Sequence, residues 1–323
     1  MRVPFALVVV AVALAVGIVG FNVNPYFAFV LTRILIFIIL AMGLNILMGY
    51  AGQLVFAHAA LFGVGAYTTG LLQVRLGLDF PVSALMGTLA ATAIGSVLVL
   101  PALRLSGIYL AISTLAVAQA IQWTFLNWVS VTYGPGGFRA PSIDLGFGLA
   151  KHESIFVLTL VVTAVLLILK DNMVRSGMGR RLVAIRANPL VASAMGVNVT
   201  MVKTKAFALS AAFAGVAGAL FSALLGFVSP ESFNLDQMVL MQIMVVLGGL
   251  GSLLGAIIGP IIVVLSVEVL RDTRGLLEIL FGTVLIVFVL FCPQGVAGII
   301  SRILRYKEEF IPPGLSDSAR KDA

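Results

Sequence analysis

His58 is the one histidine set inside an apolar run of this chain, and no second metal-binding side chain stands four residues away from it. A lone imidazole in such a setting serves more readily as a hydrogen-bonded packing residue than as a ligand. The single cysteine, Cys292, closes an apolar run and leaves no internal disulfide to form. The other polar groups within apolar sequence are neutral: Asn45, Gln53, Ser113, Thr114, Gln119, Gln122, Asn127 and Gln242. Amides and hydroxyls so placed either line a path for a weakly polar or zwitterionic solute or tie helices together. The chain has no G-x-x-x-x-G-K-[ST] phosphate loop, no H-E-x-x-H and no charged pair in the middle of an apolar run. Arg33, Glu268 and Glu278 all stand toward the ends of such runs. Side-chain relays for protons or sodium are therefore disfavoured, although carbonyls at broken helices can bind sodium. His58 has no acid or nucleophile at workable spacing, so catalysis within the membrane ranks last.

The elements that must position these groups are membrane helices. The chain is 61% hydrophobic and 10% charged, with a mean hydropathy of +1.15, where a soluble domain carries roughly 25% charged residues. Apolar runs recur at spanning length, and strand-period alternation is absent, so the expected fold is all-α: a polytopic helical bundle in a lipid bilayer. Spans are expected at 3–21, 27–48, 54–72, 81–100, 107–127, 155–169, 206–227 and 276–291. The long run 238–269 is interrupted by Gly248-Gly249-Leu250-Gly251-Ser252 and splits into two short spans at a glycine hairpin. The result is about ten crossings, with both termini inside. A count of eight or nine follows if 238–269 crosses once or is re-entrant. Residues 1–300 form the transmembrane domain and 301–323 a tail of mixed charge.

Small residues recur at helical spacing. Ser210, Ala214, Gly218 and Ser222 form one stripe, and Ala211, Gly215, Ala219 and Ala223 a second. Gly251, Gly255 and Gly259 repeat the pattern, which allows helix axes to approach closely.

One polar stretch interrupts the apolar sequence, at 170–205. It holds seven basic residues against one acid and so carries +6 of the chain's formal +7. A basic loop between spans is retained on the cytoplasmic side, so the surplus reports topology and not nucleic-acid binding. Leu182, Ile185, Leu190, Ala194 and Val197 can share one helical stripe, with Asn188-Pro189 as a start signal and Gly196 as a stop. The segment is either a short docking helix facing the cytosol or a solvated loop that only sets orientation.

Four stretches resemble the LivM-type permease of branched-chain amino-acid ABC transporters. They are GLNILMGYAGQLVFAHAALFGVGAYTTGLL from Gly43, LRLSGIYLAISTLA from Leu103, GRRLVAIRANPLVASAMGVNVTMVKTKAFALSAAFAGVAGAL from Gly179 and GFVSPESFNLDQMVLMQIMVVLGGLGSLLGAIIGP from Gly226. The resemblance implies the fold of an ABC importer permease in a bacterial inner membrane. It also implies four companions: a second, LivH-type permease, two cytoplasmic ATPase subunits that bind ATP and Mg, and a periplasmic substrate-binding protein. The family's coupling helix falls on 186–196, which makes Arg180, Arg186, Asn188, Pro189 and Gly196 the expected ATPase contacts. Asn45, Gln53, His58, Ser113, Thr114 and Gln119 become translocation-path candidates, and Gly215, Gly218, Gly251, Gly255 and Gly259 helix-packing positions. Where family members show Ser-Leu-Gly-His, this chain has Val55-Phe56-Ala57-His58, which points to a narrower or less polar path. The same architecture also serves urea, short-chain amides and aromatic acids. A self-sufficient channel or ion-coupled carrier is the competing class.

Overall fold

The computed structural model describes residues 24–102, 105, 107–141 and 151–269, with isolated positions at 9, 13, 16, 17, 295, 296 and 298. The expected tail, 301–323, lies outside the described residues, as do almost all of the expected first and last spans.

Helix α1 (Pro25–Asn45) starts with Pro at its first turn, where the missing N–H costs nothing, and runs into a π-helical turn at Ile46–Tyr50. Helix α2 (His58–Leu76) ends at Gly77, whose φ of +62° suits the left-handed cap. Then come α3 (Phe80–Ala102), α4 (Ile108–Asn127) and a single turn, α5 (Val129–Thr132). Helix α6 (Lys151–Arg175) is followed by two short helices, α7 (Gly177–Ala187) and α8 (Pro189–Ala194). The long α9 (Val199–Leu225), then α10 (Leu235–Gly248) and α11 (Gly255–Val269), complete the described helices.

Among the described residues, five segments have the length and hydropathy of a membrane span: Pro25–Tyr50, Phe80–Val97, Ile108–Asn127, His152–Arg175 and Val199–Leu225. The protein is thus an all-α, multi-pass membrane bundle. Fewer spans meet that standard than the expected ten or so: two expected spans lie almost wholly outside the described residues, and two physical reasons account for the rest. Helix α2 is long enough but is diluted by His58, Thr68, Thr69, Gln73 and its glycines. The 238–269 run forms helices of only 14 and 15 residues, joined at a glycine turn. The runs at 3–21 and 276–291 are those outside the described residues.

Helix α9 is the packing centre: it lies against α1, α2 and α3, while α6 packs on α1 and α10 packs on α11. Lipid tails are as apolar as leucine, so close van der Waals approach has to supply the adhesion. Glycine provides it. A Cβ on Gly218 would stand 2.2 Å from the Phe62 carbonyl oxygen, and one on Gly65 2.5 Å from that of Gly215. A Cβ on Gly215 would meet Thr88 Cα at 2.8 Å, and one on Gly259 would meet the Met244 carbonyl oxygen at 1.9 Å.

The bundle has two unlike ends. At one, Tyr67 stacks on Phe125 with centroids 4.2 Å apart, and Phe138 and Phe233 meet the same ring edge-on. Two residue pairs, Phe138↔Val228 and Arg139↔Phe227, form an antiparallel clip there between β1 (Phe138–Arg139) and β2 (Phe227–Val228). Arg75 donates to the Val131 carbonyl at 2.8 Å and lies over the Tyr133 ring. At the other end lie the π turn, the 249–254 turn and the basic segment.

The basic segment departs from expectation in two respects. It forms two helices where one stripe was expected, because Asn188 ends α7 in an extended conformation (ψ 110°) and caps α8. Lys170, counted among the loop's cations, is instead fully buried within α6, its Nζ 6.0 Å from the Tyr50 ring centroid.

Candidate functional site

At the basic end, caps position everything that follows. The Ser176 hydroxyl accepts from Met178 N at 3.2 Å, and Gly179 allows a sharp corner, since a Cβ there would lie 1.9 Å from the Val174 carbonyl oxygen. Asn188 Oδ1 accepts from Leu190 N at 2.9 Å and Val191 N at 3.2 Å, with Pro189 at the first position of α8. Gly196 turns the chain at φ +82° in open space, where a side chain would be strained by conformation alone.

The expected stripe divides at Asn188. Leu182 and Ile185 of α7 are buried, and so is Ala192 of α8. Leu190 is 82% exposed and Met195 80% exposed, with Val191 beside them. The segment therefore presents a bare apolar tip. Arg180 is exposed and folds back on the Arg175 carbonyl at 3.3 Å. Arg186 is exposed as well, but donates to the Gly49 carbonyl oxygen.

The translocation-path candidates do not gather at one place. His58, at the first position of α2, is sealed between helices: Nε2 lies 3.0 Å from the Leu40 carbonyl oxygen and Nδ1 3.1 Å from Ser210 Oγ. A carbonyl only accepts, so Nε2 carries the proton, and in the neutral ring Nδ1 accepts from the serine. Both nitrogens are engaged, and no group of three His, Cys, Asp or Glu side chains could hold a metal among the described residues. A cavity of about 50 Å³ touches His58, Ser113, Thr114 and Ser210, with Val55, Ala57 and Phe207 among its apolar walls. Thr114 Oγ1 accepts from Phe56 N at 3.2 Å, and Gln242 Nε2 donates to the Val55 carbonyl at 2.7 Å. The irregular run before α2 is thus pinned from both sides.

Asn45 and Gln119 lie elsewhere. Asn45 is buried at the glycine turn, accepting from Gly251 N at 2.8 Å and donating to the Ser252 carbonyl at 2.9 Å. Gln119 is exposed on α4, and Gln53 is buried with its Oε1 lacking a hydrogen-bond partner. Sequence reasoning had placed Ser210 in a small-residue stripe only. Its pairing with His58 spans 152 positions, and no local spacing signals it.

His58→Ala should leave Ser210 Oγ without its buried acceptor and enlarge the cavity. The expected cost is about 1–2 kcal/mol, seen as a melting point several degrees lower in detergent. Ser210→Ala, which removes one of the two bonds and makes no large void, should cost less.

The comparisons agree with this architecture. The family model for the permease component of branched-chain amino acid transport systems matches residues 26–291. A high-affinity branched-chain amino acid transport permease, LivM of Salmonella typhimurium, is 32% identical over 315 residues, covering 90% of this chain and 73% of that protein. LivM of Escherichia coli is 35% identical over 289 residues, covering 82% and 68% respectively. LivH of Escherichia coli is 26% identical over 284 residues, covering 80% of this chain and 90% of that protein. No solved structure matches. The match runs from the first turn of α1 beyond the end of α11, through both the basic segment and the glycine turn, and on that extent the chain belongs to the permease family of branched-chain amino acid transport systems.

Proposed function

We propose that this chain is the LivM-type half of an ATP-driven importer in a bacterial inner membrane. It pairs with a LivH-type permease, is driven by two cytoplasmic ATPase subunits that bind ATP and Mg, and receives solute from a periplasmic binding protein. The solute is a branched-chain or related hydrophobic amino acid, moved by alternating access with no covalent step. Higher identity to LivM of Salmonella typhimurium and of Escherichia coli than to LivH of Escherichia coli supports this half of the pair. The observation that carries the reading is the apolar tip at Leu190, Val191 and Met195. It sits on the chain's most basic segment, in a protein with no phosphate loop of its own. Bare apolar side chains on a capped, charged helix pair fit a groove on a partner.

Proteoliposomes test it. Uptake of labelled leucine should require the second permease, the ATPase subunits and ATP together, whereas this chain alone should pass nothing; flux through the chain alone would establish the carrier or channel class instead. A second reading of the solute is urea or a short-chain amide, which the same architecture also serves. Competition for leucine uptake by these compounds decides between them.

The same reading fixes orientation, with 170–205 and both termini in the cytoplasm. A Met195→Cys variant should resist a membrane-impermeant thiol reagent in intact cells and react once the cells are opened. Labelling from outside would reverse the topology.

A further inference from the structure

Arg186, though exposed, meets two separate breaks of the chain at one point. The π turn at Ile46–Tyr50 offers the Gly49 carbonyl, which accepts from Arg186 Nη1. At Gly52, with φ +67°, a Cβ would lie 2.7 Å from Arg186 Cγ, so the arginine stem crosses bare backbone there. The glycine turn between α10 and α11 contributes Gly251, where a Cβ would lie 3.5 Å from Arg186 Nη1. The two turns also touch each other: a Cβ on Gly49 would meet Asn45 Oδ1 at 2.0 Å and Gly251 N at 2.2 Å. Asn45 closes the junction with its bonds to Gly251 N and the Ser252 carbonyl oxygen.

We infer that Arg186 is a positioning residue that ties the α7–α8 segment to both broken elements, so that a displacement of the segment moves the π turn and the glycine turn together. This rests on the importer reading above. Three properties of the junction argue for transmission in preference to docking. The guanidinium is spent on a bond within this chain, to the Gly49 carbonyl 137 positions away. It binds backbone, whose position is the quantity to be moved. The elements it joins are a π turn and a glycine turn, which can rearrange without unwinding a full helix. A rigid planar fork satisfies such a junction better than an ammonium can.

The test uses the reconstituted assembly with Arg186→Ala and Arg186→Lys. Arg186→Ala is expected to keep its partner subunits and hydrolyse ATP within twofold of the parent, while uptake per ATP falls roughly tenfold, a typical coupling free energy between sites. Arg186→Lys, which keeps the charge and one donor, is expected to lose less and serves where the alanine variant does not fold. A second readout is the distance between spin labels at Val183→Cys and Leu254→Cys, both exposed positions, in a Cys292→Ser full-length chain in nanodiscs. One narrow distribution is expected with Arg186 present and a broad one without it. Unchanged uptake per ATP in whichever variant assembles, or loss of the ATPase subunits on mutation, would overturn the assignment. If the parent assembly shows no ATP-dependent uptake at all, the importer reading itself has failed, and the label distances still report whether Arg186 holds the junction.

Discussion

Leu190→Asp combined with Met195→Asp should leave the permease folded and strip it of the ATPase subunits proposed to drive it. Both side chains stand about four-fifths exposed, so the substitutions remove little intramolecular packing, and surface changes of this kind usually lie within about 0.5 kcal/mol in stability. An aspartate at 190, in the first turn of α8, even complements the helix dipole. A carboxylate pressed into an apolar groove, by contrast, is an uncompensated buried charge. Loss of one central apolar anchor costs on the order of 2 kcal/mol or more, which is a weakening of about 30-fold. Pull-down of the ATPases with tagged permease measures it, with size-exclusion chromatography as the control on folding. Retention of the ATPases by a well-folded double variant would remove the tip from the interface and take away the main support for the importer reading.

The second large effect is on the fold itself. Gly218→Val places three carbons where α2 and α9 meet backbone to backbone, 2.2 Å from the Phe62 carbonyl oxygen and 2.7 Å from Ala66 N. No rotamer relieves a clash that begins at Cβ, so the helices must part, at a cost on the order of 3 kcal/mol. That is a large share of the roughly 5–15 kcal/mol by which folded proteins are stable. The expected result is loss of the monodisperse peak, or a melting point lowered by about 10 °C. Gly136→Ala, where a Cβ would meet nothing within 4 Å, should leave both unchanged. Equal behaviour of the two variants would mean that the α2–α9 contact is not what holds the bundle.

The legible and illegible parts of this chain divide along physical lines. Apolar runs and caps are local, so the spans 81–100 and 107–127 agree to within about two residues with Phe80–Ala102 and Ile108–Asn127. The glycine interruption within 238–269 was equally readable, because a turn is written in adjacent residues. The basic segment was legible as a unit, but its interior was not. Asn188 closes one helix with its backbone and opens the next with its side chain, so the stripe that seemed continuous bends, and Leu190 faces out while Ile185 faces in. Lys170 reads as the start of a polar loop only while its neighbours are counted along the sequence; Tyr50 lies 120 positions away and covers it. The partnership of His58 with Ser210, and that of Arg186 with Gly49, are likewise products of how helices meet, which no window of sequence contains.

The contrast between the two ends of the bundle has a mechanical meaning. Stacked rings join α2 to α4 and a paired-strand clip joins 138–139 to 227–228, while the opposite end is built from a π turn, glycines and one arginine fork. On the importer reading proposed above, a body held fast at one end and jointed at the other would act as a lever, with the aromatic end as fulcrum and the jointed end as the place where a partner's push enters.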